Sequence, residues 1–165
     1  MRTYYFREKL IKITDKYPIL DEDKDPVFYV EQNFRLVGFK ERVYDLNKTE
    51  IITIKRKLVS IFPTYNIEFA NGEEMMVKAN LSLIKRSVDA VIKGGKLKVK
   101  GSIFDHEFKV EFDNELVGEV SKKFFSLRDS YTLKVYDEKY TLHLIALCLC
   151  LNNMQDIDEK KEEDD

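Results

Sequence analysis

Tyr140-Thr-Leu-His-Leu-Ile-Ala-Leu-Cys-Leu-Cys-Leu-Asn-Asn-Met154 is the stretch on which the fold turns. It has no turn residue for a dozen positions, and every residue from Leu144 to Leu151 is apolar. Upstream, Asp137 is a good helix cap and Glu138 suits the positive end of the helix dipole. Downstream, Asn152 or Asn153 suits a left-handed helix end. The stretch therefore reads as one helix over about 139–153. Its apolar run falls far short of the roughly 20 residues that cross a bilayer, so no transmembrane span is expected. A helix that is apolar on every side and too short for a membrane belongs inside protein.

What surrounds it is legible in the preceding chain, which repeats. Phe6-Arg-Glu-Lys-Leu-Ile-Lys-Ile-Thr-Asp-Lys-Tyr17 lays without a gap on Val120-Ser-Lys-Lys-Phe-Phe-Ser-Leu-Arg-Asp-Ser-Tyr131. The frame returns in Ile54–Tyr65, more weakly in Val77–Val88, and loosely in Val30–Phe39. Polar clusters separate the copies: 21–25, 45–48, Asn71-Gly72, Gly94-Gly95, Asp113-Asn114 and Asp137-Glu138. Each of the four clearer copies also carries a turn signal in its middle, at 14–16, Pro63-Thr64, 85–87 or 128–130. Turn signals every 8 to 12 residues between β-branched and aromatic runs predict consecutive antiparallel hairpins. Six units of two strands give about twelve. The apolar parity slips within a unit, as at Ile54 and Leu58 against Val59 and Ile61, which predicts a bulge or bend at a fixed place in each copy. About twelve closed strands enclose a lumen too wide to be filled from the wall alone. A helix of about 15 residues, about 22 Å long, matches strands of six or seven residues and would plug it. The expectation is a mainly β domain over 1–154, a closed antiparallel barrel of about twelve strands around the C-terminal helix, followed by a disordered acidic tail over 155–165.

Three segments then carry a resemblance: Val120-Ser-Lys-Lys-Phe-Phe-Ser-Leu127 with the aromatic strand that follows it to Val135, Gly101-Ser-Ile-Phe-Asp-His-Glu-Phe108, and the Leu-rich terminal helix. Together, from about residue 3 to 154, the chain resembles the LURP-one-related family, which belongs with the tubby C-terminal domain and phospholipid scramblase group. The resemblance implies a twelve-stranded barrel around a central hydrophobic helix. It implies little about activity, because none of these motifs is catalytic and a fold does not fix a function. The tubby relatives bind phosphoinositides, which raises anionic headgroups as a ligand class without assigning residues here.

Charge is segregated along the chain. The total of 28 basic and 30 acidic residues conceals a tail over 155–165 with a net charge of −5 and a body with a net charge of +3. A body this weakly basic does not fit a nucleic-acid binder. The N-terminus lacks the apolar stretch of a secretory signal. Cys148 and Cys150 have neither zinc-pair nor redox spacing and point about 200° apart on a helix, so buried free thiols in a reducing, cytoplasmic compartment are expected.

Two constellations are candidates for chemistry. Asp105-His106-Glu107 places a His beside carboxylates, the material of acid–base or metal sites. On a strand, however, His106 faces away from both acids, and His143 is the only other histidine. No metal, cofactor or enzymatic activity is expected, and a hydrolase centred on His106 is the weaker alternative. The second constellation is cationic: Lys55-Arg56-Lys57, Lys85-Arg86, the alternating Lys96, Lys98 and Lys100, and Lys122-Lys123. Outward lysines are often plain solvated surface that discourages edge pairing. Joined on a barrel, Lys55, Arg56, Lys57, Lys96, Lys98, Lys122 and Lys123 would instead make a site for anionic lipid headgroups or another anionic partner. A further alternative is a protein-interaction module that uses the acidic tail.

Overall fold

In the computed structural model, which describes residues 1–7, 16–34, 38–80, 87–122 and 130–164, buried and exposed residues alternate along a series of short strands. They are β1 (Arg2–Arg7), β2 (Lys16–Leu20), β3 (Pro26–Phe34), β4 (Phe39–Tyr44), β5 (Glu50–Arg56) and β6 (Thr64–Phe69). They continue as β7 (Glu74–Asn80), β8 (Ser87–Ile92), β9 (Gly95–Ser102), β10 (Glu107–Phe112), β11 (Glu115–Ser121) and β12 (Ser130–Val135). Each strand pairs antiparallel with its sequence neighbours, and β1 pairs with β12 from Arg2↔Val135 to Arg7↔Ser130, so the sheet closes. The β1–β2 seam is thin, with Tyr5↔Leu20 as its bridge among the described residues.

Simple up-and-down topology sorts the connections onto two ends. At one end the polar clusters form tight turns. Asp45 Oδ1 accepts from the Asn47 and Thr49 amides at 2.9 Å each, and Asp21 Oδ1 accepts from the Asp23 and Asp25 amides at 2.9 and 3.0 Å. Asp113 and Asn114 both take left-handed φ values, 51° and 65°, as a two-residue hairpin turn requires. At the other end, the chain passes from β1 to β2, β3 to β4, β5 to β6, β7 to β8, β9 to β10 and β11 to β12. All the repeat copies read from the sequence straddle connections at this second end.

The C-terminal helix, α1 (Thr141–Asp164), enters from the polar end behind a 3-10 turn over Glu138–Tyr140. Asp137 caps that turn, accepting from the Lys139 amide at 3.2 Å, and the Thr141 hydroxyl donates to the Glu138 carbonyl at 2.8 Å. Residues 144–151 are buried without a break. At about 100° per residue, eight consecutive positions sample every direction around the axis, so there is barrel wall on all sides of the helix. Gly118 on β11 permits one close approach: a Cβ there would lie 2.8 Å from Leu144 Cδ1.

Two expectations need correction. The helix does not stop at Asn152 or Asn153, and the acidic residues 156–164 are its continuation rather than a disordered tail. The two asparagines accept hydrogen bonds from wall tyrosines instead of terminating the helix, and the segment beyond is rich in Glu, Lys and Gln, which favour helix. The parity slip at Ile54–Ile61 is not a bulge either. β5 ends at Arg56, and Leu58, Val59 and Ile61 belong to the loop that follows. Register shifts occur elsewhere, at Ile19/Leu20, Val43/Tyr44 and Val110/Glu111. The turn signals at 14–15, 85–86 and 128–129 lie outside the described residues.

Candidate functional site

Among the described residues, the candidate cations are spread over separate places on the barrel. Lys55 points outward from β5, with its Nζ 3.6 Å from Glu68. Lys96 and Lys98 are exposed on β9 on either side of the buried Leu97, as their alternation predicts. Lys98 stands opposite Asp89 on β8 and Glu111 on β10, and the neighbouring Lys100 binds Glu111 at 2.6 Å. On the wall, therefore, the lysines are interleaved with carboxylates. Arg56, Lys57 and Lys122 lie apart from these rows, at strand ends on the repeat-bearing end of the barrel. Lys122 is anchored there through its amide, which donates to Glu107 Oε1 at 2.9 Å. Lys123, Lys85 and Arg86 lie outside the described residues. β5 and β11 are six strands apart, so Lys57 and Lys122 share an end of the molecule but not a patch of wall.

Beside Lys57, the β5–β6 loop is tied by its own hydrogen bonds. The Lys57 amide donates to the Thr64 carbonyl at 2.8 Å and closes its base. The Ser60 and Thr64 hydroxyls both donate to the Phe62 carbonyl. The apolar tip is left in solvent, with Leu58 65% exposed, Ile61 90% and Val59 96%.

Just inside this end lies a polar layer that the sequence reading missed. Tyr65 donates to Asn153 Oδ1 at 2.7 Å, and Arg56 Nη1 reaches the same atom at 3.4 Å. Tyr131 donates to Asn152 Oδ1 at 3.0 Å. His106 stacks on Tyr131 with ring centroids 4.4 Å apart, and its Nε2 lies 3.4 Å from Asn152 Oδ1. Glu41, opposite Gln32 in the ladder, points into the lumen and is only 3% exposed. Burial and the nearby Asp156 carboxylate push its carboxyl up to about 8, against a hydrogen bond from Tyr17 at 3.5 Å. A cleft of about 340 Å³ beside the emerging helix is lined by Gln32, Asn33, Arg56, Asp156 and Lys160.

The Asp105-His106-Glu107 constellation is divided. Asp105 accepts from the Ser102 hydroxyl, His106 turns inward at a left-handed φ of 51°, and Glu107 accepts from the Ser121 hydroxyl and the Lys122 amide. Asp105 and His106 occupy the β9–β10 turn, and only Glu107 is on a strand. His143 is at the far end of the helix, 3.3 Å from Glu73. Among the described residues, no cluster of three or more His, Cys, Asp or Glu side chains is placed to hold a metal ion. No helix among them is long and apolar enough to cross a membrane. Cys148 and Cys150 are free and buried, and burial pushes the Cys148 thiol up to about 12.

Comparisons with known proteins agree with this architecture. The chain is 26% identical over 148 residues to the uncharacterized protein YxjI of Bacillus subtilis (strain 168), covering 90% of each chain. The X-ray structure of a protein from Arabidopsis thaliana superimposes with a TM-score of 0.57, over 92% of this chain and 91% of that one. At 12% identity this likeness concerns the fold alone. Residues 2–152 match the family described as LURP-one-related, so the chain with its helix-filled barrel belongs to the LURP-one-related family.

Proposed function

We propose that this protein is a non-enzymatic binding module that docks the repeat-bearing end of its barrel on an anionic partner, specifically a surface of anionic lipid headgroups. The observation that carries this reading is the placement of Lys57. It is exposed at the barrel's end, at the base of the β5–β6 loop, whereas Lys55, Lys98 and Lys100 have carboxylates beside them on the wall. A cation already neighboured by an acid adds little attraction for a distant anion, while one at an unobstructed rim adds its full field. The separate engagement of Asp105, His106 and Glu107 supports a structural role for all three.

The test is co-sedimentation with phosphatidylcholine vesicles that contain roughly one-third phosphatidylglycerol, a composition that supplies a negative surface potential. Retention should be strong at low salt and fall as salt rises. Lys57→Glu should weaken it by about thirtyfold, at roughly 1 kcal/mol for the lost cation and about as much again for the reversed charge. Lys96→Glu combined with Lys98→Glu, on the acid-flanked wall, should change it by less than about threefold. Absence of retention at low salt, or equal loss from Lys57→Glu and from the wall variant, would refute the reading. The acidic end of α1 supports a second reading, docking on a basic protein, because its carboxylates are carried on an ordered helix to Asp164. Capture by a polylysine surface, lost when residues 158–165 are deleted, would favour it.

A further inference from the structure

The β5–β6 loop presents three large apolar side chains within four residues to solvent, at the end where the cations lie. Isolated exposed apolar residues are ordinary, but a cluster on a protruding tip is not. Nor is this tip a slack loop that failed to pack. Its base is closed by the Lys57 amide to Thr64 carbonyl bond, and its interior is pinned by the Ser60 and Thr64 hydroxyls on the Phe62 carbonyl. Leu58 folds back toward Gly38, where a Cβ would come within 3.1 Å of Leu58 Cδ2. That leaves Val59 and Ile61 as the outermost groups. A short apolar tip directly preceded by the exposed Lys57 has the two features that hold a peripheral protein at a bilayer interface: apolar area for the acyl boundary and a cation for the headgroups above it.

The other exposed apolar residues sharpen the choice of partner. Met1, Leu46, Leu116 and Tyr136 stand at the opposite end, the last three among Asp45, Glu115, Asp137 and Glu138. A negative surface repels that end. The segments joining strands at the basic end are largely outside the described residues, but their sequences repeat the same mixture. Residues 81–86 read Leu-Ser-Leu-Ile-Lys-Arg, and 123–129 read Lys-Phe-Phe-Ser-Leu-Arg-Asp.

We infer that the Leu58–Ile61 tip penetrates the headgroup region of an anionic bilayer, with Val59 and Ile61 entering the acyl boundary and Lys57 remaining at the phosphates. This rests on the lipid reading of the basic end and adds a depth and an orientation to it.

The chain has no Trp, so one introduced indole reports its own site. Val59→Trp is compared with Leu46→Trp, which marks the opposite end, on the same vesicles with and without brominated acyl chains. Both positions are exposed, so neither change disturbs the core. The expected result is a blue-shifted emission and bromine quenching for Val59→Trp, neither for Leu46→Trp, and equal retention of both. Val59→Asp combined with Ile61→Asp should lower retention by on the order of tenfold or more. It should leave the melting temperature unchanged. Salt-sensitive retention without a shift at position 59 overturns penetration while the lipid reading stands. No retention at low salt removes both. An equal shift at position 46 overturns the orientation. A concentration-dependent dimer that Val59→Asp dissociates would assign the tip to a second copy of the chain and overturn the inference.

Discussion

Glu41 sits between Lys40 and Arg42 and opposite Gln32, yet its carboxyl is inside the barrel, faced by Tyr17 on β2, Tyr65 on β6, Tyr131 on β12, and Cys150 and Asp156 on α1. Burial is the first cause of its raised pKa and the Asp156 carboxylate the second. In the folded protein it keeps its proton up to about pH 8, whereas in the unfolded chain it loses it near the ordinary carboxylate value. Between those limits the folded state binds the extra proton. The contribution to stability is therefore complete below the unfolded value and is lost as pH rises through about 8. The melting temperature should fall between pH 5 and pH 9. Glu41→Gln, which keeps the shape and removes the titration, should flatten that fall and melt at least about 5 °C higher than the native protein at pH 9. Parallel profiles for the two proteins would show that Glu41 ionises as freely as a surface acid. Nothing in Lys40-Glu41-Arg42 reveals this residue, because three charges in a row read as solvated strand. Inwardness there follows from ladder parity, and the polar neighbours come from residues far apart in the chain. Asn152 and Asn153 were misread for the same reason. Their local meaning is a helix stop, and only the reach of Tyr65 and Tyr131 across the lumen gives them another.

At the scale of elements, the helix was the most legible part of the chain, because eight apolar residues in a row admit few solutions other than complete burial. The strands were legible as hairpins, since the Asp- and Asn-led turns announce their own geometry. The loops at the opposite end were not. Leu58, Val59 and Ile61 continue the apolar texture of β5 and imitate a strand with a parity error. A plug of this kind makes wall and helix depend on each other. Ile52, Ile54, Val77 and Leu133 are fully buried with the helix in place, and a lumen without it would hold water against them. A chain truncated before Tyr140 should be aggregated or unfolded by size exclusion and circular dichroism. A milder probe, Leu147→Ala, opens a cavity in the same core and should cost about 2–5 kcal/mol in a denaturant titration. A soluble, cooperatively melting truncated barrel would contradict the plug.

For the whole molecule the consequence is a barrel with two unlike ends. One end is closed by tight, acid-rich turns and receives the helix. The other has Arg56, Lys57 and Lys122, the apolar tip and the acidic end of the helix, where residues 155–164 carry six acidic against two basic side chains, a net charge of −4. The cleft beside the helix sets Arg56 against Asp156 and Asp164. A second cleft, of about 950 Å³, sets Lys100 against Asp158, Glu159 and Glu162. Carboxylates that close to the rim oppose an approaching anionic surface, and at about 0.1 M salt their field spans only about 10 Å. The opposition should therefore be local and screened. Deleting residues 158–165 removes a net charge of −4 while leaving the buried part of the helix and Asp156 in place. The shortened protein should melt within about 4 °C of the full chain, because the deleted side chains are mostly exposed. On anionic vesicles at low salt it should be retained several-fold more tightly, with the difference shrinking as salt rises. Unchanged retention would mean that the acidic helix end is too far from the docking face to matter. Weaker retention would make that end part of the binding surface itself, with a basic protein rather than a membrane as its counterpart.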